Sequence, residues 1–110
     1  MGRGTPAIGA KAALLQVLIR GEGYGLELID RVREATNGEL VLGQGSVYPA
    51  LRDLEREGMV ESYEGPPLPE RGGRPRIYYR ITAAGQRAAL DDRQQVAGLF
   101  GFLVPLNGRA

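Results

Sequence analysis

The segment of residues 65–75 constrains the fold of this chain more than any other part of the sequence. Four of its eleven residues are proline and three are glycine, so it suits neither a helix nor a central strand. The flanking segments, 59–64 and 76–81, are strand candidates, and the second alternates apolar with polar side chains. The sequence therefore predicts two strands joined by a long hairpin loop.

Four stretches with apolar residues at steps of three and four predict amphipathic helices. The first is expected to begin with Thr5 as its cap and Pro6 as its first residue, and the last with Thr82 as its cap. Asn37 and Gly38 are expected to end the second helix, because both residue types tolerate the left-handed conformation. The predicted helices span residues 6–20, 24–36, 46–58 and 82–103.

The order helix, helix, helix, strand, strand, helix predicts a winged helix-turn-helix, a mainly α fold with a small β-hairpin (α+β). In that fold the third helix enters the major groove of DNA and the hairpin flanks it as a wing. We expect residues 1–82 to form this domain and residues 83–110 to form a C-terminal dimerisation helix and tail. The 110 residues, 43% of them apolar, suffice for one small core.

The third predicted helix carries an apolar stripe and an opposite, more polar stripe. Ser46 is expected to cap it by accepting the N–H of Tyr48, and Pro49 is tolerated in a first turn because N–H groups there have no helical partner. The polar stripe consists of Tyr48, Pro49, Arg52 and Arg56. Two alternatives stay open, namely packing of Tyr48 in the core and pairing of Arg56 with Asp53. Tyr79 is expected in the core, because it alternates with Ile77 and Ile81.

The formal net charge of +1 conceals an uneven distribution along the chain. Residues 1–70 hold 7 basic and 11 acidic side chains (−4), residues 71–80 hold 4 and none (+4), and residues 81–110 hold 3 and 2 (+1). Phosphate binding depends on the local number of cations rather than on the total. The predicted wing therefore supplies the DNA-binding candidates Gly73, Arg74, Pro75 and Arg76. The alternative is a solvated charged loop.

The absence of cysteine and histidine excludes whole classes of function. Without cysteine the chain cannot form disulfides, thiolate nucleophiles or cysteine-type zinc sites. Without histidine it lacks the commonest metal ligand and the commonest general base at neutral pH. The acidic pairs Glu55/Glu57 and Asp91/Asp92 are predicted on helices, where adjacent or alternate side chains point apart and cannot act together as an acid and a base. We therefore expect no enzymatic activity, no bound metal and no cofactor. The N-terminus does not resemble a signal peptide and no apolar run spans a bilayer, so a cytoplasmic location is expected.

The last predicted helix presents Val96, Phe100 and Leu103 beyond the compact core, where nothing left in the chain covers them. An uncovered apolar stripe indicates a partner surface, and packing against the first helix near Leu15 is the alternative or an addition. Predicted dimer-interface residues are Leu15, Val96, Phe100 and Leu103. A two-fold dimer places two recognition helices about one DNA turn apart, which favours a pseudo-palindromic operator.

Several separated motifs resemble the PadR family of bacterial transcriptional regulators. They are GSVYPALR (45–52), LEREG (54–58), GGRPRIYYRITAAG (72–85) and the Tyr24-Gly25 pair that opens the second helix. The resemblance covers about residues 8–90. It implies a winged-helix homodimer in which the C-terminal helix makes the dimer contacts and which acts as a repressor relieved by a small molecule.

The resemblance also implies positions for the DNA contacts. Residues 46, 48, 49 and 52 fall on the DNA-facing start of the recognition helix, and residues 73–76 fall on the wing. The chain has no tryptophan, so it lacks the aromatic clamp of some drug-binding relatives. The predicted function is a sequence-specific DNA-binding repressor, released by a small apolar or aromatic effector. The alternative is a winged-helix protein-interaction module that does not bind DNA.

Overall fold

The predicted order of elements is confirmed, with one additional short strand. The computed structural model of the chain describes residues 9–100, and the side chains of residues 9–92. The elements are α1 (Ala10–Leu18), β1 (Gly23–Tyr24), α2 (Gly25–Ala35), α3 (Gln44–Arg56), β2 (Val60–Glu64), a single 3-10 turn (Pro69–Arg71), β3 (Ile77–Ile81) and α4 (Ala83–Phe100). Four helices and a small antiparallel sheet thus make up an α+β winged helix-turn-helix.

The core lies where the apolar stripes of the first three helices meet each other and the sheet. The stripe predicted for α3 is buried as expected, and α1 and α2 contribute leucines and valines from their inner faces. The largest fully buried side chains are Leu14, Leu18, Leu28, Val32, Val47, Leu51, Leu54 and Val60. Burying each such side chain contributes about 1.5–3 kcal/mol, so this cluster is what holds α3 in place on the body.

The sheet has the order β1-β3-β2, with β3 antiparallel to both neighbours. Strand β2 pairs along its whole length with β3, from Val60 opposite Ile81 to Glu64 opposite Ile77. Strand β1 was not predicted, because two residues are too few for an alternating pattern to be visible. Ile77 is 40% exposed rather than buried, because it pairs with Glu64 at the end of the hairpin next to the connecting loop.

Helix α3 begins earlier than predicted, and the expected cap is wrong. Its N-cap is Gly43, and Ser46 is already the third helical residue, where its backbone N–H bonds to the carbonyl of Gly43 at 3.0 Å. Pro49 consequently lies in the second turn rather than the first. Because proline has no N–H, the carbonyl of Gly45 receives no helical hydrogen bond from it.

The other helix ends agree more closely with the sequence. Helix α2 ends as predicted, with positive φ angles of 53° at Asn37 and 82° at Gly38. Helix α1 begins at Ala10 with Gly9 as its N-cap, and the predicted start at Thr5 and Pro6 lies outside the described residues. None of the helices within residues 9–100 is long and apolar enough to cross a bilayer.

Helix α4 is fastened to the body at its first turns. The hydroxyl oxygen of Thr82 accepts the N–H of Gly85 at 3.1 Å, which confirms the predicted cap. Gln16 of α1 donates from its side-chain amide to the carbonyl of Ala89 at 2.7 Å. The side chain of Leu90 is 47% exposed on this helix.

The predicted dimer contacts stay predictions. Leu15 is only 3% exposed, so within the single chain it belongs to the core. The side chains of Val96 and Phe100 lie outside the described residues, as does the whole of Leu103. Helix α4 itself passes through positions 96 and 100.

Candidate nucleic-acid interface

The outward face of α3 carries three of the predicted DNA contacts on the surface. Ser46, Pro49 and Arg52 are all exposed. Arg56 is exposed too, but it forms an ion pair with Asp53, which confirms the pairing that was considered from the sequence. Arg52 has no carboxylate partner among residues 9–92, so it is the uncompensated cation of this face.

Tyr48 adopts the packed alternative rather than a fully exposed one. It is half-buried and packs against the hydrophobic core. Its ring lies so close to Gly25 that a Cβ built on Gly25 would stand 2.5 Å from the Tyr48 hydroxyl oxygen. Gly25 therefore lets the first turn of α2 approach α3, and Tyr48 fills the junction between the two helices.

The tip of the wing is a compact, hydrogen-bonded turn. Gly72 and Gly73 have φ angles of 68° and 84°, the left-handed region that glycine adopts without strain. The N–H of Gly73 bonds to the carbonyl of Leu68 at 2.9 Å. Arg71 and Arg74 each donate from Nε to the other's carbonyl, at 3.3 and 3.1 Å. The turn thus orders the two arginine stems and leaves their terminal nitrogens available.

The wing arginines differ in how far their charge is compensated. Arg80 donates to Glu61 on the neighbouring strand at 3.1 Å. Within residues 9–92, no carboxylate pairs with Arg71, Arg74 or Arg76. Three of the four arginines of residues 71–80 are thus not neutralised by an ion pair, and these three lie at or next to the tip of the wing.

An open groove of about 240 Å³ joins the wing to the helices. Tyr48 of α3 lies on one wall, and Arg71, Pro75 and Arg76 of the wing lie on another. Leu26, which is 46% exposed, contributes the first turn of α2. The remaining lining residues are Tyr24, Gly25, Ile77 and Tyr79. The structure thus brings three of the predicted DNA-binding residues, Tyr48, Pro75 and Arg76, together in one groove, and adds Arg71 and Leu26, which are not among the sequence-based candidates.

A row of three tyrosines crosses the sheet beside this groove. Tyr24, Tyr78 and Tyr63 occupy paired positions on β1, β3 and β2. The first two rings meet edge to face and the last two stack, with centroids 5.5 Å apart in both pairs. Arg76 lies over the ring of Tyr24 at 4.5 Å, and Arg80 lies over that of Tyr63 at 5.1 Å. Only the register of the sheet reveals this row, since Tyr24 and Tyr78 are far apart in sequence.

Two tyrosine hydroxyls have raised pKa values. Partial burial is the main cause for Tyr63, and a hydrogen bond to the carboxylate of Glu22 adds to the rise in its pKa. Burial also raises the pKa of Tyr79, and the carboxylate of Glu55 adds to it. Tyr79 packs against the core beneath α3, as predicted. Both hydroxyls therefore stay neutral at physiological pH and act there as hydrogen-bonding groups.

A family model described as the transcriptional regulator PadR-like family matches residues 14–91. The chain is 29% identical over 73 residues to an uncharacterized protein of Lysinibacillus sphaericus, covering 66% of this chain and 64% of that protein. It is 28% identical over 86 residues to the transcriptional regulator YqjI of Escherichia coli K12, covering 78% of this chain and 38% of YqjI. The chain therefore matches less than two thirds of the length of these curated relatives.

The fold is also that of solved regulators. The crystal structure of a PadR family transcription regulator from Clostridium difficile R20291 superposes with a TM-score of 0.69 at 25% identity, covering 84% of this chain and 92% of that one. The match runs from within α1 to the first turns of α4, so it includes every residue that lines the groove. The chain therefore belongs to the PadR-like family of transcriptional regulators, which are winged-helix DNA-binding proteins.

Proposed function

We propose that this chain is a sequence-specific DNA-binding repressor that acts as a homodimer. The observation that carries the proposal is the placement of Arg52, Arg71, Arg74 and Arg76. These four arginines are free of carboxylate partners among residues 9–92 and lie on α3 and the wing, the two elements that touch DNA in a winged helix-turn-helix. A cation that is already ion-paired gains less from a phosphate, so these four are the ones suited to DNA.

The two elements have different tasks in this proposal. The wing arginines contact phosphates and thereby fix the position of the protein on the duplex, without reading the sequence. The exposed face of α3 reads base edges in the major groove, where a guanidinium such as that of Arg52 suits guanine. Ser46 and Pro49 approach the duplex at the start of the same face. Arg56 makes a smaller contribution because Asp53 compensates its charge.

The dimer, the effector and the cytoplasmic location complete the proposal. Helix α4 is held on the body at its start. The apolar stripe that the sequence predicts for the following part of the chain is the proposed contact between two copies. Two copies joined along α4 would bind a pseudo-palindromic operator. A small apolar or aromatic molecule seated between the paired helices would release the repressor from DNA.

The experiment is selection of bound duplexes from a random pool, followed by measurement of operator affinity across a salt series. The parent chain should bind one sequence class, with affinity falling steeply as salt rises. The slope of log K against log salt is negative. Arg74→Ala and Arg76→Ala should each reduce its magnitude by about 2, because each dimer loses two phosphate contacts.

Arg20→Ala is the matched control. Arg20 is exposed and has no carboxylate partner in the part of the chain that the structure describes, but it lines a separate cavity between α1 and α2. Its removal should leave the salt slope unchanged. Failure of the parent chain to enrich any duplex would contradict DNA binding, and equal slopes for all three variants would contradict the role of the wing.

A further inference from the structure

Both ends of the tyrosine row carry an arginine, but the two arginines differ in their electrostatic surroundings. At each end a guanidinium lies over a tyrosine ring, Arg76 over Tyr24 and Arg80 over Tyr63. Arg80 also donates to Glu61, whereas no carboxylate within residues 9–92 pairs with Arg76. Among the described residues, Arg76 therefore has a cation–π contact with the ring of Tyr24 in place of an ion pair.

The ring of Tyr24 is itself firmly placed. Its backbone pairs with Tyr78 in the sheet, and the two rings meet in a T-shaped arrangement. Its N–H donates to the carboxylate of Glu27 at 3.4 Å, at the point where α2 begins. Tyr24 thus belongs to the sheet and to the helix-turn-helix at once, and it provides a fixed surface for a long, flexible arginine side chain.

Contact with a ring face has a different consequence from contact with a carboxylate. A carboxylate occupies the N–H edge of the guanidinium, which is the edge that a phosphate needs. A ring attracts the cation through the guanidinium plane and leaves the in-plane N–H donors free. The guanidinium carbon of Arg76 lies 4.5 Å from the centroid of the Tyr24 ring at the wall of the groove, and no carboxylate within residues 9–92 pairs with its N–H groups.

We infer that Tyr24 is a positioning residue for DNA binding: its ring holds Arg76 in the orientation that contacts a backbone phosphate. The inference rests on the proposed function and adds to it a residue outside α3 and the wing. It also separates Tyr24 from Tyr63, whose arginine is compensated by Glu61 and is therefore not expected to serve the same purpose.

The test is a double-mutant cycle on operator affinity. Tyr24→Leu should weaken binding by about two- to fivefold for each half-site, the factor of an exposed cation–π contact, whereas Tyr24→Phe should bind like the parent chain. In an Arg76→Ala background, Tyr24→Leu should cause no further loss. Tyr63→Leu is the matched control, and it should leave the affinity unchanged.

Several outcomes would overturn the inference. An equal loss from Tyr24→Leu in both backgrounds would show that Tyr24 acts independently of Arg76, as a merely structural residue does. No loss in the parent background, or an equal loss from Tyr63→Leu, would contradict it as well. Thermal unfolding of every variant shows whether the fold has been kept.

A second measurement distinguishes failure of this inference from failure of the proposed function. In NMR spectra without DNA, the side-chain protons of Arg76 should be shifted upfield by the Tyr24 ring, and Tyr24→Leu should remove that shift. Unshifted Arg76 protons in the parent chain would overturn the inference whether or not DNA binds. If the shift is present and the parent chain binds no DNA, the proposed function fails and the phosphate role of Arg76 fails with it.

Discussion

At the scale of single residues, two helical glycines lie where another part of the chain leaves no room for a Cβ atom. Gly85 is the clearest, since it is buried in the first turn of α4, where a Cβ would stand 2.1 Å from the carbonyl oxygen of Met59. Gly25 has the same role toward the ring of Tyr48. Such contacts explain why glycine is retained inside helices, where it otherwise lowers stability.

Gly85→Ala should therefore lower the free energy of unfolding by about 1–3 kcal/mol, because the added methyl group meets backbone that cannot move aside easily. Gly45→Ala is the control: Gly45 is helical and nothing lies within 4 Å of its Cβ position, so alanine there should raise stability by up to about 1 kcal/mol. Urea denaturation of the two variants gives both values. Equal effects would contradict the close approach at Gly85.

At the scale of elements, the beginning of α4 decides how the last helix is joined to the body. The hydroxyl of Thr82 accepts the N–H of Gly85 and donates to the carbonyl of Gly58 at 2.7 Å. One side chain thus caps α4 and binds the turn between α3 and β2. This pair of bonds fixes the first turn of α4 to the turn that precedes β2.

Thr82→Ala should lower the free energy of unfolding by about 1–2 kcal/mol, because it removes the cap and leaves the Gly58 carbonyl without this donor. Thr82→Ser keeps the hydroxyl and should lie close to the parent chain. Thermal and denaturant unfolding of both variants measure the difference. A loss of equal size in the serine variant would assign the effect to the methyl group instead of the hydrogen bonds.

The elements also show what the sequence can and cannot predict. Helix α2 and the strands of the wing follow from periodicity and from Asn37, Gly38 and the Pro/Gly segment, all of which act locally. The predicted start of α3 is wrong because, by local preference alone, Ser46 is a better N-cap than Gly43. Leu42, just before the helix, is buried in the core, and such packing between distant parts of the chain is not visible in the local sequence.

The candidate site was predicted only in part for the same reason. Charge along the chain identified the wing, and the outward stripe of α3 identified Arg52. The pairing of Arg80 with Glu61 and the contact of Arg76 with Tyr24 depend on strand register. Strand β1, which creates the second contact, has no periodic signal of its own, because its two residues become a strand only beside β3.

At the scale of the whole molecule, the proposed dimer depends on α4. If its later turns pair with a second copy, Tm should rise with protein concentration, because unfolding then releases two chains. Phe100→Glu should convert the dimer to a monomer, since a buried unpaired carboxylate opposes association. Arg87→Glu, on an exposed position of the same helix, should leave the dimer intact. Analytical ultracentrifugation of the three proteins checks this.

Sedimentation of the parent chain as a monomer at all concentrations would contradict the dimer. A monomeric Arg87→Glu variant would instead relocate the interface to the first part of α4, where Leu90 is exposed. Either result leaves the fold unaffected, because the core described above is complete within a single chain.

The short strand β1 has a mechanical consequence for regulation. By pairing with β3 it connects the start of α2 to the wing, so this pairing opposes separate movement of the helix-turn-helix and the wing. In the proposed dimer, each copy would then present α3 and the wing to DNA as one unit, joined to the other copy through α4. An effector bound between the two α4 helices would change the spacing and tilt of the two recognition helices and leave the structure of each unit unaltered. Relief of repression would accordingly come from a mismatch between that spacing and the helical repeat of DNA.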